Sequence, residues 1–295
     1  MRTGETRWAY TFLLPWIIGL VLFQAGPMIA SAVLSFTDYD LIGAPEFVGL
    51  DNYAALAADP RVARAIENTL LYTVIHVPLA CVLALGLALL LNQVTGRAAG
   101  VFRTVFYLPS MTPTVAVGVL FLFLLNGQAG LLNEVLGVFG IEGPQWTSDP
   151  DWMLPGIVIM SLWNLGASTI VLFAALRNVP RELTEAAMID GAGSWQRFRH
   201  ITLPMISAAL FFVVIVDTIA ALQMFDQVYT MYFGTSQAQQ TTGDAALFYV
   251  VYLFQQGFQY LHMGYASALA WLLFAVIAVI TFIQIKVGDR LVHYE

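Results

Sequence analysis

Six stretches of the chain are long and apolar enough to cross a bilayer, and they constrain the fold more than any other feature. A spanning helix needs about 20 mostly apolar residues. The runs lie at about 10–35, 69–91, 104–126, 153–176, 205–230 and 264–287. Hydrophobic residues make up 59% of the 295 and charged residues 11%. An average soluble domain is roughly 25% charged. No water-facing fold of this length could hide so much apolar surface, so the expected class is all-α and polytopic. Ala30-Ser31-Ala32 resembles a cleavage site. The first run nonetheless exceeds the 7–15 residues, roughly, of a signal-peptide core and is expected to stay as a helix.

The charges orient these spans. With six spans both termini share one side. That side holds Arg2, Arg7, Arg97, Arg103, Arg177, Arg181, Arg197, Arg199, Lys286 and Arg290, against Arg61 and Arg64 on the other. Short cytoplasmic loops are the ones enriched in Lys and Arg, so both termini read as cytoplasmic. The outer loops are then about 36–68, 127–152 and 231–263. The first two are rich in Asp and Glu, which suits a solvated surface or a docking face for an external partner. The third contains GTSQAQQTTGD at 234–244 and reads as polar and irregular.

Several functions are disfavoured. The one lysine, Lys286, precedes Val287, so no Walker A loop exists and any ATP must be bound by another chain. The four histidines at 76, 200, 262 and 293 are dispersed, and the single cysteine, Cys81, lies in an apolar run. Neither a catalytic cluster nor a metal spacing is present. His76, beside Pro78, reads as structural: the proline makes a kink and the imidazole bonds nearby backbone.

One long cytoplasmic connection, about 177–204, reads RNVPRELTEAAMIDGAGSWQRFRHITLP. Arg181 opens a helix after Pro180, and Gly191 and Gly193 break it. Trp195, Phe198 and Ile201 then mark the apolar stripe of a second short helix, closed at the membrane by Pro204.

This segment resembles the EAA loop of ABC importer permeases: Glu-Ala-Ala, three residues, Gly, nine residues, Ile-x-Leu-Pro. Glu185, Ala186, Ala187, Gly191, Ile201, Leu203 and Pro204 fill that pattern. Asn68-Thr69-Leu70, FRTVFYLP at 102–109, FDQVY at 225–229 and MGYASALAW at 263–271 are similar to the carbohydrate branch, particularly the maltose-type first permease. Ser207 departs from it, where many relatives have a second proline.

The resemblance implies the type I importer permease fold over a single domain, 1–295, in a bacterial inner membrane. It implies a second permease subunit, an ATP-binding subunit dimer and an extracytoplasmic solute-binding protein as partners, and a sugar as cargo. No cofactor is expected in this chain; ATP and magnesium would sit on the ATPase. Glu185, Ala186, Ala187, Asp190 and Gly191 would contact that ATPase, with Glu185 favoured by lying near a helix N-terminus.

Depth suggests where a substrate would pass. Asn164 lies 13 residues before Arg177, and Asp217 lies 13 after Pro204. At 1.5 Å per residue both sit roughly 20 Å from the cytoplasmic face. A mid-membrane acid usually faces a cavity or a partner. The candidates for a path are Trp163, Asn164, Ala167, Asp217, Ala221 and Met224. Asp226 falls opposite Asp217 on a straight helix, which keeps the two aspartates out of one site. Two rival readings remain: an importer of glycerol-phosphate or another small polar solute, and an ion-coupled secondary carrier using Asp217. The absence of cationic residues in mid-span argues against a phosphate, and the lack of internal symmetry argues against the carrier.

Overall fold

The computed structural model describes residues 2–94, 96–234 and 243–291, with the side chains of 2–9, 97–99 and 290–291 not described. Arg2, Arg7, Arg97 and Arg290 therefore lie outside the described side chains. His293 and most of GTSQAQQTTGD lie outside the described residues.

Three helices are individually long and apolar enough to cross a membrane: Tyr10–Leu34, Pro60–Gln93 and Met263–Asp289. Three bent pairs bring the number to six: Gly100–Met111 with Thr114–Leu124, Pro150–Asn164 with Gly166–Arg177, and Ser194–Met205 with Ser207–Leu222. Their bends are 95°, 49° and 68°. Pro113 carries the first bend, because proline disfavours helical angles in the residue before it. The second passes through a 3₁₀ turn, Leu162–Asn164. At the third, Ile206 leaves helical angles at ψ 3°. Pro78, by contrast, leaves Pro60–Gln93 a continuous helix. Pro204 does not end the loop helix either. It lies in the last turn of the continuous helix Ser194–Met205, just after the π turn Phe198–Thr202.

The chain packs as two units. One comprises Met1–Ala63 and Tyr252–Val276. It holds the first span, of whose apolar window none is buried within the chain. It also holds a small antiparallel pair, β1 (Thr37–Asp38) with β2 (Glu46–Phe47). Asp59 ties this unit together by accepting hydrogen bonds from the Tyr252 and Tyr265 hydroxyls. Partial burial pushes its pKa up, but those two hydroxyls and the Arg61 amide outweigh it and hold the carboxyl below its ordinary pKa.

The other unit comprises Arg64–Val251 and Ile277–Glu295. Its core brings together the second, fourth and fifth spans through Ala84, Ala88, Leu91, Leu172, Leu176, Ile206 and Val213. Small alanines on the second span allow close helix approach. Gly166 serves the same end: a Cβ there would meet the Phe106 carbonyl oxygen at 2.7 Å.

Two stretches differ from the sequence expectation. The fifth span stops at Leu222 rather than 230. The third outer stretch is helical over 249–259 rather than irregular throughout. Tyr249–Phe254 is α-helical, Gln255–Gln259 is a π turn, and Ala246, Leu247 and Phe248 are fully buried. The apolar run AALFYVVYLF at 245–254 is too short to span and is held inside the protein instead. Asn68 anchors its start, donating to the carbonyls of Asp244, Ala245 and Leu247 at 3.0, 3.1 and 3.0 Å.

Candidate functional site

The connection between the fourth and fifth spans folds as a helix, a tight turn and a second helix. Arg181–Ile189 is the first helix. Its end is a Schellman motif. The Gly191 N–H donates to the Met188 carbonyl at 3.1 Å, and the Ala192 N–H reaches back to Ala187 at 2.8 Å. This closure requires a left-handed residue, and Gly191 supplies it at φ +82°. Gly193 plays a different part. It has extended angles and gives its N–H to Gln196 Oε1 at 2.8 Å, which starts the next helix.

That second helix widens into a π turn over Phe198–Thr202. Trp195 and Phe198 keep their rings 5.5 Å apart, yet Trp195 is 68% exposed. Glu185, Ala186, Asp190 and Gly191 are exposed, and Ala187 is half-buried; Ala187, Asp190 and Gly191 line one hollow of the loop, while Glu185 faces another. Contrary to the sequence expectation, Glu185 does not sit at the helix N-terminus. It is the fifth residue of its helix, and the acid in the first turn is Glu182. Dipole stabilisation fades beyond the first turn, so any role of Glu185 rests on its exposure.

A cavity of about 410 Å³ lies between the second, fourth and fifth spans. Asn164, Asp217, Ala221 and Met224 all line it, so the two polar groups matched by depth do meet. Ser168 donates to the Asp217 carboxylate, with oxygens at 3.1 and 3.2 Å. Trp163 and Ala167 are not among its walls. In a 3₁₀ turn residues i and i+3 eclipse, which sets Ser161 and Asn164 on the cavity and turns Trp163 away. The Trp163 ring meets Phe121 edge-on at 6.0 Å instead. Ala167 is exposed past the bend.

Asp226 corrects the straight-helix argument. The fifth span breaks at Gln223–Phe225, with Phe225 at φ −136°, ψ −67°. The break brings Asp226 round to the same cavity as Asp217. Thr114, just past the bend of the third span, donates to its Oδ2.

Sequence reasoning also missed Tyr72, Ser161, Gln223 and Gln227, which complete much of the lining. Their sequence signal was polarity at membrane depth, and Gln227 also lies within the FDQVY motif. His76 lines the cavity as well, and its partner is a side chain of another span rather than nearby backbone. Ser161 Oγ lies 2.7 Å from both His76 Nδ1 and the Val158 carbonyl. A hydroxyl has one proton. With that proton given to Val158, the imidazole Nδ1–H donates to Ser161 and Nε2 is the acceptor. Tyr72 stacks on the ring at 5.0 Å.

The lining therefore offers two carboxylates, amides from Asn164, Gln223 and Gln227, an imidazole and a phenol, with no lysine or arginine. Carboxylates and amides can grip a polyhydroxylated solute through many hydrogen bonds, and aromatic faces can lie against its C–H surface.

Comparison with known proteins places the chain. Residues 77–293 match the family model described as binding-protein-dependent transport system inner membrane component. The probable ABC transporter permease protein YesP of Bacillus subtilis (strain 168) is 37% identical, covering 97% of this chain and 92% of that one. The lactose transport system permease protein LacF of Rhizobium radiobacter is 34% identical, covering 93% and 92%. A solved bacterial ABC transporter involved in import of the acidic polysaccharide alginate has a chain that superposes with a TM-score of 0.85. That chain is 26% identical, with 98% of each chain covered. The shared fold is that of ABC importer permeases. The chain thus belongs to the binding-protein-dependent transport system inner membrane components, as an ABC transporter permease subunit and not an enzyme.

Proposed function

We propose that this chain forms half of the pathway of an ATP-driven, binding-protein-dependent importer for a neutral mono- or oligosaccharide. The supporting observation is one of connectivity. The fourth and fifth spans supply Asn164 and Asp217 to one cavity, and the same two spans flank the exposed turn at Glu185–Gly191. Force applied at that turn reaches both cavity walls through continuous packing, including Leu172, Leu176 and Val213. Rigid-body movement of packed helices is a common way to switch access.

In this reading an ATP-binding subunit dimer, carrying ATP and magnesium, grips Glu185, Ala186, Ala187, Asp190 and Gly191 from the cytoplasm. A second permease completes the pathway in the bacterial inner membrane. A solute-binding protein delivers the sugar from outside. A solved alginate transporter in complex with a pentasaccharide-bound periplasmic protein, 26% identical to this chain, supports such a partner. The lactose and arabinooligosaccharide names of relatives 34% and 32% identical support a saccharide. Asp217 and Asp226 favour a neutral one, because a carboxylate or phosphate on the substrate would be repelled in a low-dielectric cavity. That weighs against glycerol-phosphate.

The test is uptake by vesicles containing the assembled complex. Uptake should require ATP and the ATPase chain, and should fall when Asp217 is replaced. Uptake driven by an ion gradient alone would overturn the reading in favour of a secondary carrier.

A further inference from the structure

A second and larger cavity, about 700 Å³, opens beside the loop that joins the fourth and fifth spans. Three arginines from three different elements line it. Arg103 comes from the helix Gly96–Tyr107, Arg177 is the last residue of Gly166–Arg177, and Arg181 is the first of Arg181–Ile189. Two of them share one aromatic support. The Phe173 ring, itself buried, has the Arg103 guanidinium carbon 5.0 Å from its centroid and that of Arg177 at 5.4 Å. The ring holds two like charges within about 10 Å of each other, a distance at which guanidiniums still repel.

Glu185 is the one carboxylate among the lining residues. Three guanidiniums and one carboxylate give the lining itself a formal excess of positive charge. Hydroxyls of Thr184 and Thr202 add donors, and Leu89 and Leu176 give an apolar wall. Guanidinium forks match phosphate oxygens bidentately. The position is also informative. Arg177 ends the fourth span, at the level where lipid headgroups begin, on the side that the arginine bias assigns to the cytoplasm. Basic pockets between spans on that side suit acidic headgroups.

We propose that this cavity binds a phosphate ester, and that its source is the headgroup of an anionic phospholipid. The apolar wall favours a lipid over a free phosphate, since it can lie against the glycerol and the upper acyl chain. A bound headgroup would bridge the end of the fourth span to the start of the exposed loop helix.

The test uses the assembled transporter in detergent, supplied with phosphatidylglycerol, phosphatidylcholine or inorganic phosphate, and read by native mass spectrometry and thermal unfolding. Phosphatidylglycerol should be retained and should raise the unfolding midpoint, and phosphatidylcholine should do neither. Arg103→Gln/Arg177→Gln/Arg181→Gln should weaken phosphatidylglycerol retention at least about tenfold, as expected for lost charged hydrogen bonds. Arg177→Gln alone should weaken it by a smaller factor and serves if the triple variant does not fold. Arg199→Gln, an exposed arginine outside the cavity, should leave retention unchanged. Equal retention of the two lipids, or equal retention by wild type and Arg177→Gln, overturns the site. A midpoint raised by millimolar phosphate but not by phosphatidylglycerol overturns the lipid as its source.

Discussion

The two cavities of the larger unit both draw on the second and fourth spans, and their linings carry opposite charge. The deeper one has Asp217 and Asp226 and no arginine or lysine in its lining. The one at the loop has Arg103, Arg177 and Arg181 against Glu185 alone. Along the fourth span this change takes place between Asn164 and Arg177, 13 residues or roughly 20 Å. The composition, at net charge −7, conceals it. Charge placed by depth separates two tasks: a neutral, hydroxyl-rich solute suits the acidic level, and an anion suits the basic one.

Substitutions can break or sharpen this contrast. The largest effect is expected at the loop. Gly191→Pro removes the N–H that Met188 accepts and imposes a negative φ where the turn needs +82°. ATP-dependent uptake should become undetectable while membrane-fraction blots show normal insertion, and Glu185→Ala should act in the same direction. Normal uptake in both would remove the turn from the mechanism.

Next is the acidic level. Asp217→Asn keeps the shape and loses the charge, and uptake should fall about tenfold, the scale of a lost charged hydrogen bond. Asp217→Arg makes the deep cavity resemble the other one and should cost considerably more for a neutral sugar. A smaller effect is expected between the two levels. Gly166→Ala forces a Cβ against the Phe106 carbonyl, and overpacking of this kind costs about 1–3 kcal/mol. The readout is a lower thermal midpoint of the purified complex. Ser168→Ala should matter least, at about 1 kcal/mol for one hydrogen bond to Asp217, seen as a severalfold loss of uptake.

Much of this was legible in the sequence, for identifiable reasons. Hydropathy marks spans because no water satisfies backbone groups in a bilayer, and five of the six runs lie where expected. Gly191 was readable because few other residues tolerate its angles. Depth counting brought Asn164 and Asp217 together because both spans are anchored by the same loop. The Asp226 argument failed because it assumed an unbroken helix, and QMFD at 223–226 contains neither glycine nor proline to warn of the break. Trp163 lies off the cavity because one 3₁₀ turn rotates a side chain off a face that an α-helical wheel assigns to it. The Arg103–Phe173–Arg177 arrangement joins two spans 70 residues apart, and no local pattern encodes such a meeting.

The interrupted helices have a consequence for how such transporters diverge. Asn164 and Gln223–Phe225 line the deep cavity at helix breaks, and Thr114 reaches Asp226 from just beyond a third. A helix that ends at a break leaves its last carbonyls without intrahelical partners, and a main-chain carbonyl can accept from a sugar hydroxyl whatever side chain the residue bears. A lineage can therefore exchange lining side chains one at a time and drift from one saccharide to another while retaining a generic affinity for hydroxyls. Alanine scanning would overlook that shared component, since it belongs to the path of the backbone and is inherited with the fold.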